Sequence, residues 1–258
     1  MEIINHILRY GCLATFIEYF PEATETNVMF VGLACALLCM VSAYLLGSIN
    51  FAIVLSKLRG DDIRKHGSQN AGTTNMLRTY GKRAAIVTLI GDFLKGTVAS
   101  LIGAVLFGVY GKYLAALFCV LGHVFPVYYK FKGGKGIATA AGTILVCKPI
   151  VLLILLVIFA TVLAISKFVS LASITVALLY PFILDRVYKL FPPYEGYTSG
   201  IHILFVFILA MIVLWKHYPN MKRLMSGTES KISFKKKSEA KAETEAEDNT
   251  DGEDQGDK

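Results

Sequence analysis

The sequence predicts an all-α integral membrane protein: a bundle of seven membrane helices, one of them a short half-helix, with polar loops gathered on its cytoplasmic face. Three observations predict it. From Val28 to Leu55 the chain runs without one charged residue, long enough to cross a bilayer with some tilt. Further apolar windows, "IVLLILLVIFATVLAI" and "IHILFVFILAMIVLW", follow in a chain that is 55% hydrophobic and 17% charged, outside the usual soluble composition. The cations cluster between these windows instead of spreading over a surface. A soluble protein of this size would have to hide several all-apolar helices in one modest core.

Residues 1–27 form an N-terminal segment, extracytoplasmic or interfacial; its mildly acidic start fits a signal peptide poorly. A membrane body, 28–229, follows. Its spans are expected at 28–56, 84–109, 113–128, 137–146, 149–166, 169–188 and 201–216. Lys57, Arg59, Arg64, Lys65, Arg78, Lys82 and Arg83 follow the first span, and Lys130, Lys132 and Lys135 follow the third. Lys216, Lys222, Arg223, Lys231 and the lysines at 235–237 follow the seventh. Placing all three groups inside leaves the N-terminus outside and the C-terminus in the cytoplasm. The segment 137–146 must then cross alone, although ten residues make only ~15 Å of helix. It is expected to be a half-helix sheltered by protein. The alternative merges it with 149–166 into one crossing and puts Ser170 outside.

Charge is segregated along the chain. Residues 1–237 sum to +14 and residues 238–258 to −7. The tail, 230–258, is basic and then acidic. Its last 21 residues contain no aliphatic larger than Ala, so they cannot bury enough apolar area to offset ordering, and the tail is read as disordered. The five cysteines sit in apolar surroundings with no C-x-x-C pair and read as small buried hydrophobes. No His, Cys and carboxylate set has metal-ligand spacing, so no metal and no cofactor are expected.

The stretch "KHGSQNAGTTN", 65–75, breaks the apolar pattern. Gly67 and Gly72 permit close approach to a ligand or positive φ. Ser68, Asn70, Thr73, Thr74 and Asn75 supply hydrogen-bonding groups, and "TTNMLRTY" can open a helix capped by Thr73 or Thr74. Its free N–H groups and positive dipole end would form an anion site, with Arg78 one turn in. In "FKGGKGIAT", Gly133, Gly134 and Gly136 surround Lys135 just before another helix start. Two such sites on one face point to ligands carrying more than one phosphate. Basic loops are also ordinary topology signals, and "GGKG" is no Walker motif. Asp92 and Lys95, three residues apart, read as a structural ion pair near the cytoplasmic end, and His123 as structural.

"GSINFAIVLSKLRGDDIRKHGSQNAGTTNMLRTYGKR", "DFLKG", "LGHVFPVYYKFKGGKGIATAAG", "VSLASI" and "HYPNMKRLMSGTE" come in the order and spacing of one family. From about Tyr44 to Glu229 the chain resembles the bacterial acyl-phosphate:glycerol-3-phosphate acyltransferases, the PlsY family. The resemblance implies a compact bundle of seven membrane helices in the bacterial cytoplasmic membrane. It implies transfer of a fatty acyl group from acyl phosphate to the 1-hydroxyl of glycerol 3-phosphate, giving lysophosphatidic acid and phosphate. By match, Ser68, Asn70, Thr74, Asn75 and Arg78, Lys135 with Gly133, Gly134 and Gly136, Ser170, and His217 with Asn220 would hold the two phosphates and the acceptor. A substrate phosphate would take the proton, with His217 as the alternative base. The implied partners are the two substrates, the bilayer and other phospholipid-synthesis enzymes, with no nucleic acid. The chain departs from the family at Gln69, where Gly is usual, at Thr73, where Ala is usual, and at Asn50, where Pro or Thr is common. A transporter or flippase of a phosphorylated metabolite would also explain a half-helix, but it predicts an inverted repeat, and none is visible. A docking scaffold would leave Ser68, Arg78 and Lys135 without a role.

Overall fold

The computed structural model describes residues 2–191 and 200–232; Glu195, the lysines at 235–237 and the acidic tail lie outside the described residues. Among the described residues the chain forms nine α-helices and no strand. They are α1 Glu2–Tyr19, α2 Glu25–Ser48, α3 Phe51–Lys57, α4 Thr73–Val124, α5 Ile137–Cys147, α6 Pro149–Ser166, α7 Val169–Leu190, α8 Gly200–Lys216 and α9 Tyr218–Met225. By length and composition α2, α4, α6 and α7 can each cross a membrane; α8 and α9, bent by 53° at their junction, make a fifth such span. Rows of large apolar side chains stay exposed, including Leu38, Val41, Leu153, Val157, Leu204 and Phe207, the pattern expected where the solvent is lipid.

Three expected boundaries need correction. The span at 28–56 is not one helix: α2 stops at Ser48, Ile49 and Asn50 are extended, and the Asn50 side chain caps α3 by accepting from Ile53 N. An isolated break inside an apolar run is tolerated because side chains from α4 take up the freed carbonyls. The spans at 84–109 and 113–128 are two legs of α4, joined without a loop at Phe107 and Gly108, which leave helical geometry. Gly103 and Gly111 press against each other across this reversal, whereas residues eight apart in a straight helix lie ~12 Å apart. The helix expected to open in this stretch does so at Thr73, but Gly72 caps it in place of a threonine, and it runs on past a break at Gly81 into the first leg. By contrast α5 and α6 are separate helices, divided by extended Lys148.

Helix packing relies on small residues. A Cβ on Gly96 would strike the Thr139 carbonyl, and one on Gly142 the Phe93 carbonyl, so α4 and α5 meet backbone to backbone. Gly122 meets α2 at Tyr44 in the same way. In lipid, where apolar burial between helices gains little, such close contact carries association. The contacts also sort the bundle into two poles. At one pole Tyr113 meets Tyr188 through their hydroxyls, Lys148 Nζ donates to the Phe191 carbonyl, and His202 stacks on Tyr110. At the other pole lie both polar loops, the α6–α7 turn and the segment after α9, where Ile232 N donates to the Lys167 carbonyl. All five cysteines are free thiols; those at 35, 39, 119 and 147 are buried and Cys12 is partly covered.

Candidate active site

At the loop pole, the first polar stretch is built around Asn75. Its buried amide accepts from Ser68 N (3.0 Å) and donates to the carbonyls of Ile63 (3.2 Å) and His66 (2.9 Å). Asn75, expected to bind substrate, therefore spends its side chain on shaping the loop. Gly67 has φ +54, and a Cβ there would strike the Asn75 side-chain oxygen, so only glycine fits. Asp61 ties the outer rim to α4, accepting from Tyr80 Oη at 2.6 Å and meeting His66 Nε2 at 2.9 Å. What remains uncommitted is the Ser68 hydroxyl, the Asn70 amide and the Thr74 hydroxyl, none of which has a side-chain partner among the described residues.

Gln69 lies at φ 58, in the left-handed region. A side chain there costs roughly 1–2 kcal/mol, which explains the family's usual glycine. Gln69→Gly is expected to raise the melting temperature modestly and keep activity, the gain being cut by the looser unfolded chain, ~0.4–1 kcal/mol. A lower melting temperature would show that Gln69 makes contacts worth more than its strain.

The second loop is clamped to the first. Arg64, paired with Asp62 at 2.6 Å, donates to the carbonyls of Tyr129 (3.0 Å) and Lys132 (3.1 Å). Gly133 N and Gly134 N donate to the carbonyls of Val124 (3.2 Å) and His123 (3.1 Å). These two amides, expected to face an anion, hold the loop on the end of α4 instead. Gly136, at φ +84, opens α5 without a side-chain cap, so the first N–H groups of α5 are the free donors here.

Lys135, half-buried, donates through Nζ to Asn220 Oδ1. Asn220 Nδ2 donates to Glu229 Oε1 (2.7 Å), and Arg223 Nε to Glu229 Oε2 (2.7 Å). Ser170 Oγ is buried and has no partner that meets full hydrogen-bond geometry, but it lies near enough to the Glu229 carboxylate to stabilise its charge. Burial pushes the Lys135 ammonium down to about 8; Glu229 opposes this, while Arg223, Arg78 and Lys216 add to it. Burial pushes the Glu229 carboxyl up, but Ser170, Asn220 and Arg223 outweigh it and leave the group below the usual range. His217 is buried, with Nδ1 2.8 Å from the Val213 carbonyl. Arg78 is exposed and donates to the Ser230 carbonyl at 3.1 Å, closing the mouth from the α4 side.

The structure thus gathers Lys135, Ser170, His217 and Asn220, with Arg78 close enough for its charge to act on Lys135. It adds Arg223 and Glu229, which the sequence reading passed over. The available signal was charge: Glu229 is the sole carboxylate between Glu195 and Glu239, in a strongly basic stretch. Gly227, at φ +71, then turns the chain so that Glu229 N returns to the Arg223 carbonyl.

Residues 37–227 match the family model described as glycerol-3-phosphate acyltransferase. The glycerol-3-phosphate acyltransferase of Thermoanaerobacter pseudethanolicus is 42% identical over 201 residues, covering 78% of this chain and 97% of the relative. That of Exiguobacterium sibiricum is 43% identical over 196 residues, 75% of this chain and 91% of the relative. Among solved structures, PlsY (YgiH), an integral membrane glycerol 3-phosphate acyltransferase crystallised in its glycerol 3-phosphate form, aligns with a TM-score of 0.69 at 34% identity. The match covers 77% of this chain and 96% of that one. Its lysophosphatidic acid form aligns with a TM-score of 0.67. With the same fold across the whole membrane body and relatives above 40% identity along nearly their full length, the chain belongs to the glycerol-3-phosphate acyltransferase family.

Proposed function

We propose that the chain transfers a fatty acyl group from acyl phosphate to the 1-hydroxyl of sn-glycerol 3-phosphate. The products are 1-acyl-sn-glycerol 3-phosphate and inorganic phosphate, in the first acylation step of phospholipid synthesis. One observation carries the reading: Lys135 and Arg223, linked through Asn220 and Glu229, and Arg78, held by Ser230, line a mouth with uncommitted polar groups, in a fold whose solved relative was crystallised in glycerol 3-phosphate and lysophosphatidic acid forms. Those relatives support an acyltransferase and give the transporter reading no support.

Acyl phosphate is a mixed anhydride and is already activated. The acceptor hydroxyl attacks the acyl carbon, the carbon–oxygen bond to phosphate breaks, and the hydroxyl proton passes to the departing phosphate. His217 Nδ1 is already engaged with the Val213 carbonyl, which leaves the departing phosphate, with a second pKa near 6, as the proton acceptor. The protein's work is to bring two mutually repelling anions together. Lys135, Arg78 and the start of α5 neutralise charge, Ser68, Asn70 and Thr74 orient the donor, and Ser170, His217 and Asn220 shape the acceptor side. Such alignment can supply roughly 7–11 kcal/mol. The membrane body, 28–229, sits as a seven-span bundle in the bacterial cytoplasmic membrane, with its N-terminus outside and the loop pole and C-terminus inside. The test is purified protein given synthetic acyl phosphate and glycerol 3-phosphate. Lysophosphatidic acid should form, and acyl-CoA should not replace the donor. No product from any donor sinks the reading.

Removing residues 238–258 is expected to leave kcat nearly unchanged, because the removed piece carries −7 and no bulky apolar group. The acidic tail competes with anionic substrates for the basic mouth, so KM should fall slightly at low salt and the difference should fade as screening sets in at ~8–10 Å. A large loss of kcat in folded truncated protein would place the tail in the working site.

A further inference from the structure

Behind the mouth, three ionisable side chains meet in the bundle interior. Asp92 and Lys95 stand on the first leg of α4, His123 stands near the end of its second leg, and all three are buried. Lys95 Nζ lies 2.9 Å from Asp92 Oδ1 and 2.9 Å from His123 Nδ1. It also donates to the carbonyls of Gly47 (3.0 Å) and Ile49 (2.6 Å), which are open because α2 ends there. Asp92 Oδ1 faces the N–H of Phe51, the first residue of α3, at 3.5 Å. The cation thus answers the C-terminal end of one half-helix and the carboxylate the N-terminal end of the next. The ion pair that the sequence suggests is present, with His123 and the helix break added to it.

Two further contacts tie this cluster to the two polar loops. Gly134 packs so closely on His123 that a Cβ would strike ring atom Nε2, and Gly134 N bonds the His123 carbonyl. On the other side Asn50, at the break, donates to the Ala71 carbonyl at 3.3 Å, and that carbonyl also abuts Gly134. The loop ending in Lys135 rests on the cluster through His123. The loop holding Ser68 and Asn70 rests on it through Asn50 and the broken helix.

We propose that Asp92, Lys95 and His123 form a positioning hub that sets the separation of the two loops and so the alignment of the two anionic substrates, an inference that rests on the acyltransferase reading. The hub touches no substrate. Each loop keeps its own ligand contacts when the hub is loosened, so the loss falls on turnover and not on binding. His123→Gln keeps a polar group of similar reach but cannot both meet Lys95 and pack under Gly134. It is expected to lower kcat ~30-fold or more, since a misplacement of about 1 Å can cost ~100-fold. KM for each substrate should stay within ~3-fold of the parent. Hydrogen exchange on the same preparation should speed up at 68–72 and at Gly133 and Gly134, and stay unchanged around Tyr113 and Tyr188. The double variant Asp92→Asn with Lys95→Met removes both charges together, avoids an orphaned buried ion, and should show the same split; it carries the test where His123→Gln yields no folded protein. Full kcat per folded molecule in either variant, or a loss confined to KM, overturns the hub. A parent protein that makes no lysophosphatidic acid would instead overturn the acyltransferase reading itself.

Discussion

Lys135→Ala is expected to cut turnover by at least ~100-fold, about 2.7 kcal/mol, the upper part of what a hydrogen bond to a charged group contributes. The side chain is half-buried and held by Asn220, so its position is fixed before substrate arrives. Its ammonium is pushed down to about 8, by burial first and then by Arg223, Arg78 and Lys216, so it is poised to gain from an arriving phosphate. The sign of the pH dependence follows. The cationic form binds the anion and predominates below about 8, so kcat/KM for glycerol 3-phosphate should fall as pH rises through that value. Bound phosphate restores the charge, so the corresponding limb in kcat should move to higher pH. In Lys135→Ala the alkaline limb should vanish. Arg78→Ala is expected to lose a similar factor, whereas Lys132→Ala, in the same loop but exposed, should cost much less. Steady-state kinetics with both substrates varied check all three. Equal sensitivity of Lys132 and Lys135 would show that the wrong lysine has been assigned.

Ser68→Ala is expected to fold and extract from membranes normally yet lose most of its activity. Loop shape depends on Ser68 only through its backbone N–H, which Asn75 Oδ1 holds at 3.0 Å. The residue is exposed and its hydroxyl has no partner among the described residues, so removing it should cost stability no more than ~0.5 kcal/mol. A loss of activity without a loss of stability is therefore attributable to substrate. Ser68→Thr keeps the hydroxyl but adds a methyl group beside Gly67 and strained Gln69, and should retain part of the activity. Rates near the parent's for Ser68→Ala, with both substrates below saturation, would move the donor contact to Asn70 and Thr74.

The apolar periodicity located α5 to α8 almost to the residue: 137–146 against Ile137–Cys147, 149–166 against Pro149–Ser166, 169–188 against Val169–Leu190 and 201–216 against Gly200–Lys216. Composition could not locate the break at Ile49 and Asn50, because what permits it is Lys95, more than forty residues away. The same limit applies to the reversal at Phe107 and Gly108. The glycines that allow the legs to meet, Gly103 and Gly111, look like any glycines in an apolar run until they are paired in space. At the site, motif order brought forward the residues that the fold gathers at one pole, but residue type misled about their work. Asn75 and the amides of Gly133 and Gly134 have donors and acceptors to offer, and the structure commits them to the loops themselves. Glu229 escaped notice because an anion among cations reads as charge balance until it is seen holding Asn220 and Arg223.

The most direct test counts both products in one reaction. Purified protein is given acyl phosphate and glycerol 3-phosphate, and phosphate and lysophosphatidic acid are measured together over time. Direct transfer between two aligned anions predicts one phosphate per lysophosphatidic acid at every time point, and no phosphate release when glycerol 3-phosphate is left out. Phosphate released at an undiminished rate without the acceptor, or lysophosphatidic acid formed without its equivalent of phosphate, would contradict it.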